Sequence, residues 1–97
     1  MRQVTIEIVK AFVDNSNRKI SNSEVVSNGE FTKLYLFGNL IARKEIATGK
    51  TEVSMAGYPS QTTRERLNGL PGVKVYQKQG KQYLNGEVIE TNKFYTV

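Results

Sequence analysis

The residues best suited to catalysis are missing from this chain: it has no histidine and no cysteine among 97 residues. Without imidazole it lacks the side chain that most readily moves protons near neutral pH, and without thiolate it lacks the other usual zinc ligand. Eight Glu and the single Asp14 remain, but they are spread along the chain rather than grouped. Glu45 and Glu52 fall on neighbouring predicted strands, with nothing to make them converge on a metal or a substrate. No Ser or Thr has a base at a spacing that would activate it, and no glycine loop matches a phosphate-binding pattern. The expectation is a non-enzymatic protein with no catalytic residue, no metal site and no cofactor.

What the chain does offer is recognition chemistry. Its formal net charge is +5, and the excess is local. Residues 61–84 carry five Lys/Arg against one Glu, whereas residues 1–60 carry eight against six and residues 85–97 one against two. A clustered basic surface attracts nucleic acid or an acidic protein. Within the basic quarter, Val73 to Leu84 reads as a hairpin turning at Gln79-Gly80. That register pairs Lys78 with Lys81, Gln77 with Gln82, Tyr76 with Tyr83 and Val75 with Leu84. One face then carries Val73, Val75 and Leu84 and packs inward. The other carries Lys74, Tyr76, Lys78, Lys81 and Tyr83, a basic face centred on two tyrosines, which Arg64 and Arg66 could extend. Facing lysines repel one another, and an anion between them would remove that penalty. Lysines around aromatic rings also suit single-stranded nucleic acid. The same features serve a simply solvated sheet, since Tyr–Tyr is a common cross-strand pair and surface lysines maintain solubility.

Positioning this face requires the rest of the chain to make a scaffold. Its length suits one domain, residues 1–97, with a modest core. Turn pairs at Asn28-Gly29, Gly38-Asn39, Thr48-Gly49, Asn68-Gly69, Gln79-Gly80 and Asn85-Gly86 separate β-branched and aromatic runs, the mark of short antiparallel strands. Val4 to Val13 alternates as a strand, although Ile6, Val9 and Val13 would also line a helix. Asp14 to Asn22 reads as a loop and Glu24 to Val26 as a short edge strand. Phe31 to Ile46 reads as a hairpin turning at Gly38-Asn39. Leu34, Leu36 and Ile41 would share one face and Tyr35, Phe37, Leu40 and Ala42 the other, so the end near the turn would be covered on both sides. Thr51 to Ala56 would complete a three-stranded meander. Thr62 and Glu65 fit a capping box for a short helix over 62–69, with Gly69 at its C′ position. Thr63, Leu67 and Leu70 would face the sheet, and Arg64 and Asn68 another side. The tail, Glu87 to Val97, would add a strand or cover an edge. The fold class expected is α+β: mainly antiparallel β, a meander plus a C-terminal hairpin, with one short helix.

Three segments then resemble a known group. Leu36-Phe37-Gly38-Asn39-Leu40-Ile41-Ala42, Ala56-Gly57-Tyr58 and Thr62-Thr63-Arg64-Glu65-Arg66-Leu67-Asn68, in this order, look like small bacteriophage-encoded proteins, with Phe37 and Tyr58 where that pattern has His and Trp. The likeness covers roughly Phe12 to Leu84. It implies a phage protein acting in the cytoplasm of a bacterial host, where such proteins often modify or block host machinery, anti-CRISPR and other anti-defence proteins among them. It brings no catalytic residue.

Two partner classes follow. The first is a host protein, such as a nucleic-acid-handling enzyme, that the chain docks on and modulates. The second is nucleic acid bound directly by the Tyr76/Tyr83 face. No segment has the length or apolarity of a signal peptide or membrane span, and no membrane partner is expected. A homodimer through an unpaired sheet edge stays open.

Overall fold

Two antiparallel sheets and two helices share one apolar cluster in the computed structural model, which describes residues 2–97. In chain order the elements are α1 (Gln3–Val13), β1 (Arg18–Ile20), β2 (Ser23–Ser27), β3 (Phe31–Leu36), β4 (Asn39–Glu45), β5 (Thr51–Val53), α2 (Gln61–Asn68), β6 (Val75–Lys78), β7 (Lys81–Leu84), β8 (Glu87–Ile89) and β9 (Tyr95–Thr96). The larger sheet runs β1-β2-β3-β4-β5-β9, and the smaller runs β6-β7-β8. The fold is therefore α+β and mostly β, as the sequence implies, with two helices rather than one.

The largest departure is α1, which forms where alternation favours a strand. Its buried stripe is Thr5, Ile8, Ala11 and Phe12. Ile6 and Val13 stay about half exposed, so the buried stripe is neither the strand face nor the Ile6/Val9/Val13 helix face. Thr5 sits in the core because its hydroxyl is hydrogen-bonded to α2, and polar pairing of that kind leaves no hydrophobic signature. With α1 packed against β1, β2 and β3, Asp14 to Asn22 is not all loop: Arg18–Ile20 pairs with β2. That makes β2 an internal strand, not an edge.

The β3–β4 hairpin turns one residue earlier than expected. Phe37 and Gly38 take φ of 51° and 79°, and Leu36 pairs with Asn39. A type I′ turn requires positive φ at both central residues and favours Gly at the second, so the glycine's place pulls Phe37 into a left-handed conformation. The register then shifts between Leu34 and Tyr35, leaving Ile41 without a partner opposite. This bulge carries Ala42, expected on the opposite face, into the core beside Leu34, Leu36 and Ile41. The opposite side is not covered as expected, because Tyr35 and Leu40 are half-buried and Phe37 is exposed.

After β5 the chain leaves the sheet through a second such turn, Ala56-Gly57, with φ of 53° and 75°. Ser60, not Thr62, caps α2: its Oγ accepts the Thr63 amide at 3.1 Å. Thr63, Leu67 and Leu70 are buried. Gly69 ends the helix with an ordinary right-handed φ of −74°, so it is not the left-handed C′ glycine. A Cβ there would lie 2.7 Å from Val9 Cγ2 and 2.9 Å from Thr5 Cγ2; glycine is needed because α1 and α2 approach so closely. The tail does both things expected of it: β8 extends the second hairpin, and β9 pairs with β5. No helix among the described residues is long and apolar enough to cross a membrane.

Candidate binding surface

The β6–β7 hairpin has the register read from the sequence: Val75 opposite Leu84, Tyr76 opposite Tyr83, Gln77 opposite Gln82 and Lys78 opposite Lys81. Gln79 and Gly80 take φ of 52° and 77°, the type I′ geometry whose twist matches that of the flanking strands. Val73, Val75 and Leu84 are buried against the core. Lys74, Tyr76, Lys78 and Lys81 are exposed, and Tyr83 is half-buried. The two tyrosine rings lie face to face, with centroids 5.0 Å apart and planes 5° from parallel.

The third strand adds a residue that sequence reasoning missed. Val88 on β8 stands opposite Tyr83 and is 57% exposed. Residues directly opposite share a face, so Tyr76, Tyr83 and Val88 form one apolar row across the sheet. The Lys78–Lys81 pair lies beside that row.

The two arginines part company. Arg66 is 1% exposed and cannot extend a surface patch. Its Nε donates to Ser23 Oγ at 3.0 Å, and its Nη1 donates to Thr5 Oγ1 at 2.7 Å and Glu65 Oε1 at 2.6 Å. Burial draws its pKa below the usual arginine value, and the Glu65 carboxylate opposes that. Burial in turn pushes Glu65 up, but the Thr5 hydroxyl and the charges of Arg66 and Arg2 outweigh it, holding Glu65 below the usual carboxylate range. Glu65 is therefore tied inward and does not cap the helix.

Arg64 stays near the surface at the junction of α2 and the small sheet. Its Nη1 lies 2.9 Å from Pro59 O, 3.0 Å from Gln77 Oε1 and 3.2 Å from Gln82 Oε1. Gln77 and Gln82 belong to the inward face of the hairpin, so Arg64 sits behind the tyrosines rather than among the lysines. Asn68, on the same side of α2, bonds both main-chain groups of Val75.

A second surface emerges only in three dimensions. Phe37 and Tyr58, 69% and 68% exposed, border a cleft of about 470 Å³ whose lining includes Leu36, Ile41 and Met55. The sequence reading placed Phe37 on a covered face; it projects into solvent instead, as Tyr58 does. The usable signal was each aromatic's place at a glycine turn, Phe37-Gly38 and Gly57-Tyr58, where left-handed backbone turns side chains outward. Glu45 and Glu52 do not converge: Glu45 accepts from Thr48, and Glu52 pairs with Arg43. No group of three or more metal-ligating side chains occurs among the described residues.

Over residues 1–97 the chain matches the family described as Kyanoviridae Gp96 protein. No curated protein and no solved structure matches it.

Proposed function

The chain belongs to the Kyanoviridae Gp96 protein family and is a small phage-encoded protein, and from that premise we propose that it is a non-enzymatic binding protein that docks on an acidic surface of a host protein. The observation that carries this reading is the open face of the small sheet, where the Tyr76–Tyr83–Val88 row runs beside Lys78 and Lys81. Exposed aromatic and aliphatic side chains inside a charged rim are what a protein interface is built from. The lysines steer an acidic partner and the row supplies burial. The effect on the host is to block or alter the bound protein, a nucleic-acid-handling or defence enzyme, in an anti-defence role.

Nucleic acid is the second reading, favoured by the lysines beside stacked tyrosines. A single-strand platform needs ring faces for successive bases. Here Tyr83 has Tyr76 stacked on one face and Val88 as its cross-strand neighbour on the other side. Only the outer face of Tyr76 is left for a base, and this favours a protein partner.

The test is capture from bacterial host lysate at low salt by the wild-type protein and by Tyr76→Ser with Lys78→Glu. A partner retained by the wild type and lost by the variant supports the docking face. Absence of any partner, or salt-sensitive single-strand binding that the variant abolishes, overturns the protein-binding reading.

A further inference from the structure

Beside the lysine face, α2 and the outer edge of β6 enclose a groove of about 780 Å³ lined by Arg2, Gln61, Arg64, Asn68, Tyr76 and Gln77, among others. β6 is an edge strand, so every second residue directs its main-chain N–H and C=O away from β7. Val75 is one such residue, and its rung is already filled. Asn68 Oδ1 accepts its N–H at 2.6 Å, and Asn68 Nδ2 donates to its C=O at 2.9 Å. The Asn68 amide thus stands where a neighbouring strand would. The next outward rung, two residues on, is Gln77, which faces the groove.

The charge of the groove is basic in effect. Arg2 and Arg64 line it together with Glu65. The Glu65 carboxylate already accepts from Thr5 and Arg66, and Arg2, 62% exposed, stands only as a loose ion pair 3.9 Å from it. Arg64 is held through Nη1 alone, so its Nε and Nη2 take no partner among the described residues. A second copy of this chain set edge to edge would bring two basic β6 strands, each with Lys74 beside it and Lys78 on it, together, which charge disfavours.

We propose that this groove takes an extended acidic segment of the host partner, which makes a main-chain rung with Gln77 and sets its carboxylates against Arg2 and Arg64. The inference rests on the protein-binding reading and adds how the partner's chain is gripped: strand addition at an edge, with guanidiniums choosing the side chains. A nucleic acid could satisfy the arginines but has no peptide groups to complete the rung.

A fluorescent peptide of alternating Glu and Val is the probe, with an alternating Lys and Val peptide and oligothymidylate as controls. The acidic peptide binds with an affinity that falls as salt rises, and the Gln77 amide gains protection from hydrogen exchange. Gln77→Ala loses the side chain but keeps the rung, whereas Gln77→Pro also removes the outward N–H without touching a bond to β7. The proline variant therefore binds about tenfold more weakly than the alanine variant, the equivalent of one main-chain hydrogen bond. Arg2→Gln weakens binding in both backgrounds. Equal affinities for the alanine and proline variants, or no protection at Gln77 in the wild type, overturn the inference, as does preference for oligothymidylate. Host capture lost with Lys78→Glu while Gln77 stays unprotected by peptide sinks the groove alone. Peptide protection without any host capture sinks the docking face instead.

Discussion

Arg66 Nη1 donates to Thr5 Oγ1 across 2.7 Å, joining side chains 61 positions apart in sequence. The same hydroxyl donates to Glu65 Oε1 at 3.0 Å, so a single threonine of α1 is gripped by two consecutive residues of α2. Arg66 also reaches Ser23 on β2. One buried cation therefore ties both helices to the large sheet.

Removing that cation strands its partners. Arg66→Met leaves Glu65 without its closest charge and Thr5 and Ser23 without donors. We expect a loss of about 3 kcal/mol, the low end for breaking a buried pair, because Glu65 keeps 26% of its side chain in water and has Arg2 3.9 Å away. Arg66→Lys recovers little, because a single ammonium cannot address Ser23, Thr5 and Glu65 together. Urea denaturation of the three proteins gives the comparison; a lysine variant as stable as wild type would contradict the forked geometry.

Acid should release the same knot. The folded Glu65 pKa lies below its ordinary value, so its contribution is full above the unfolded pKa of about 4.3. It disappears as pH falls through the lower, folded value. Stability should decline below about pH 4.3, and Glu65→Gln should flatten part of that decline. Thermal melts from neutral to acid pH read the slope directly, and identical slopes would remove Glu65 from the account.

Gly69→Ala sets helix propensity against packing. Alanine gains up to about 1 kcal/mol in propensity at most. Its Cβ, however, meets two methyl groups of α1 at 2.7 and 2.9 Å, and overpacking of that kind costs about 1–3 kcal/mol. Net destabilisation is the expected result of a denaturation series. A stabilised variant would mean that α1 yields easily at Val9 and Thr5.

Phe37 is held at φ 51° with 69% of its surface in water. Asparagine tolerates the left-handed region far better, and Asn-Gly is the favoured type I′ pair. Phe37→Asn should therefore raise stability by about 1 kcal/mol, the scale of strain at such a position. A lowered melting temperature would show that the ring is retained for packing. A raised one would mark it as a side chain kept at the cleft against the turn's own preference.

Lys78 and Lys81 face each other next to the turn. Lys78→Glu replaces repulsion by an ion pair and should stabilise the hairpin by about 0.2–1 kcal/mol, even as host capture falls. Opposite movements of melting temperature and capture would identify the lysine pair as functional. If both are unchanged, the pair serves solubility alone.

The second hairpin was legible because everything that sets it is local. A glycine in the second turn position, period-two alternation and a two-residue loop determine its register and which side is wet. The β3–β4 turn had the same chemistry but two candidate pairs, Phe37-Gly38 and Gly38-Asn39. The glycine's preference for the second position decided between them, and a bulge at Ile41, which local spacing does not announce, turned Ala42 inward. The open lysine–tyrosine face was therefore readable, save for Val88, which joined only when β8 paired.

The sequence alone determined the α+β composition, the strand-rich patterning, the missing imidazole and thiol, and the local basic excess, all of which follow from residue type and short-range spacing. Tertiary structure alone decided that Val4 to Val13 coils rather than extends, that Arg66 goes inside while Arg64 stays near the surface, and that Phe37 and Tyr58 share one cleft. Each of those outcomes depends on a polar bond or a close approach between segments distant in the chain. Hydrophobic periodicity records neither.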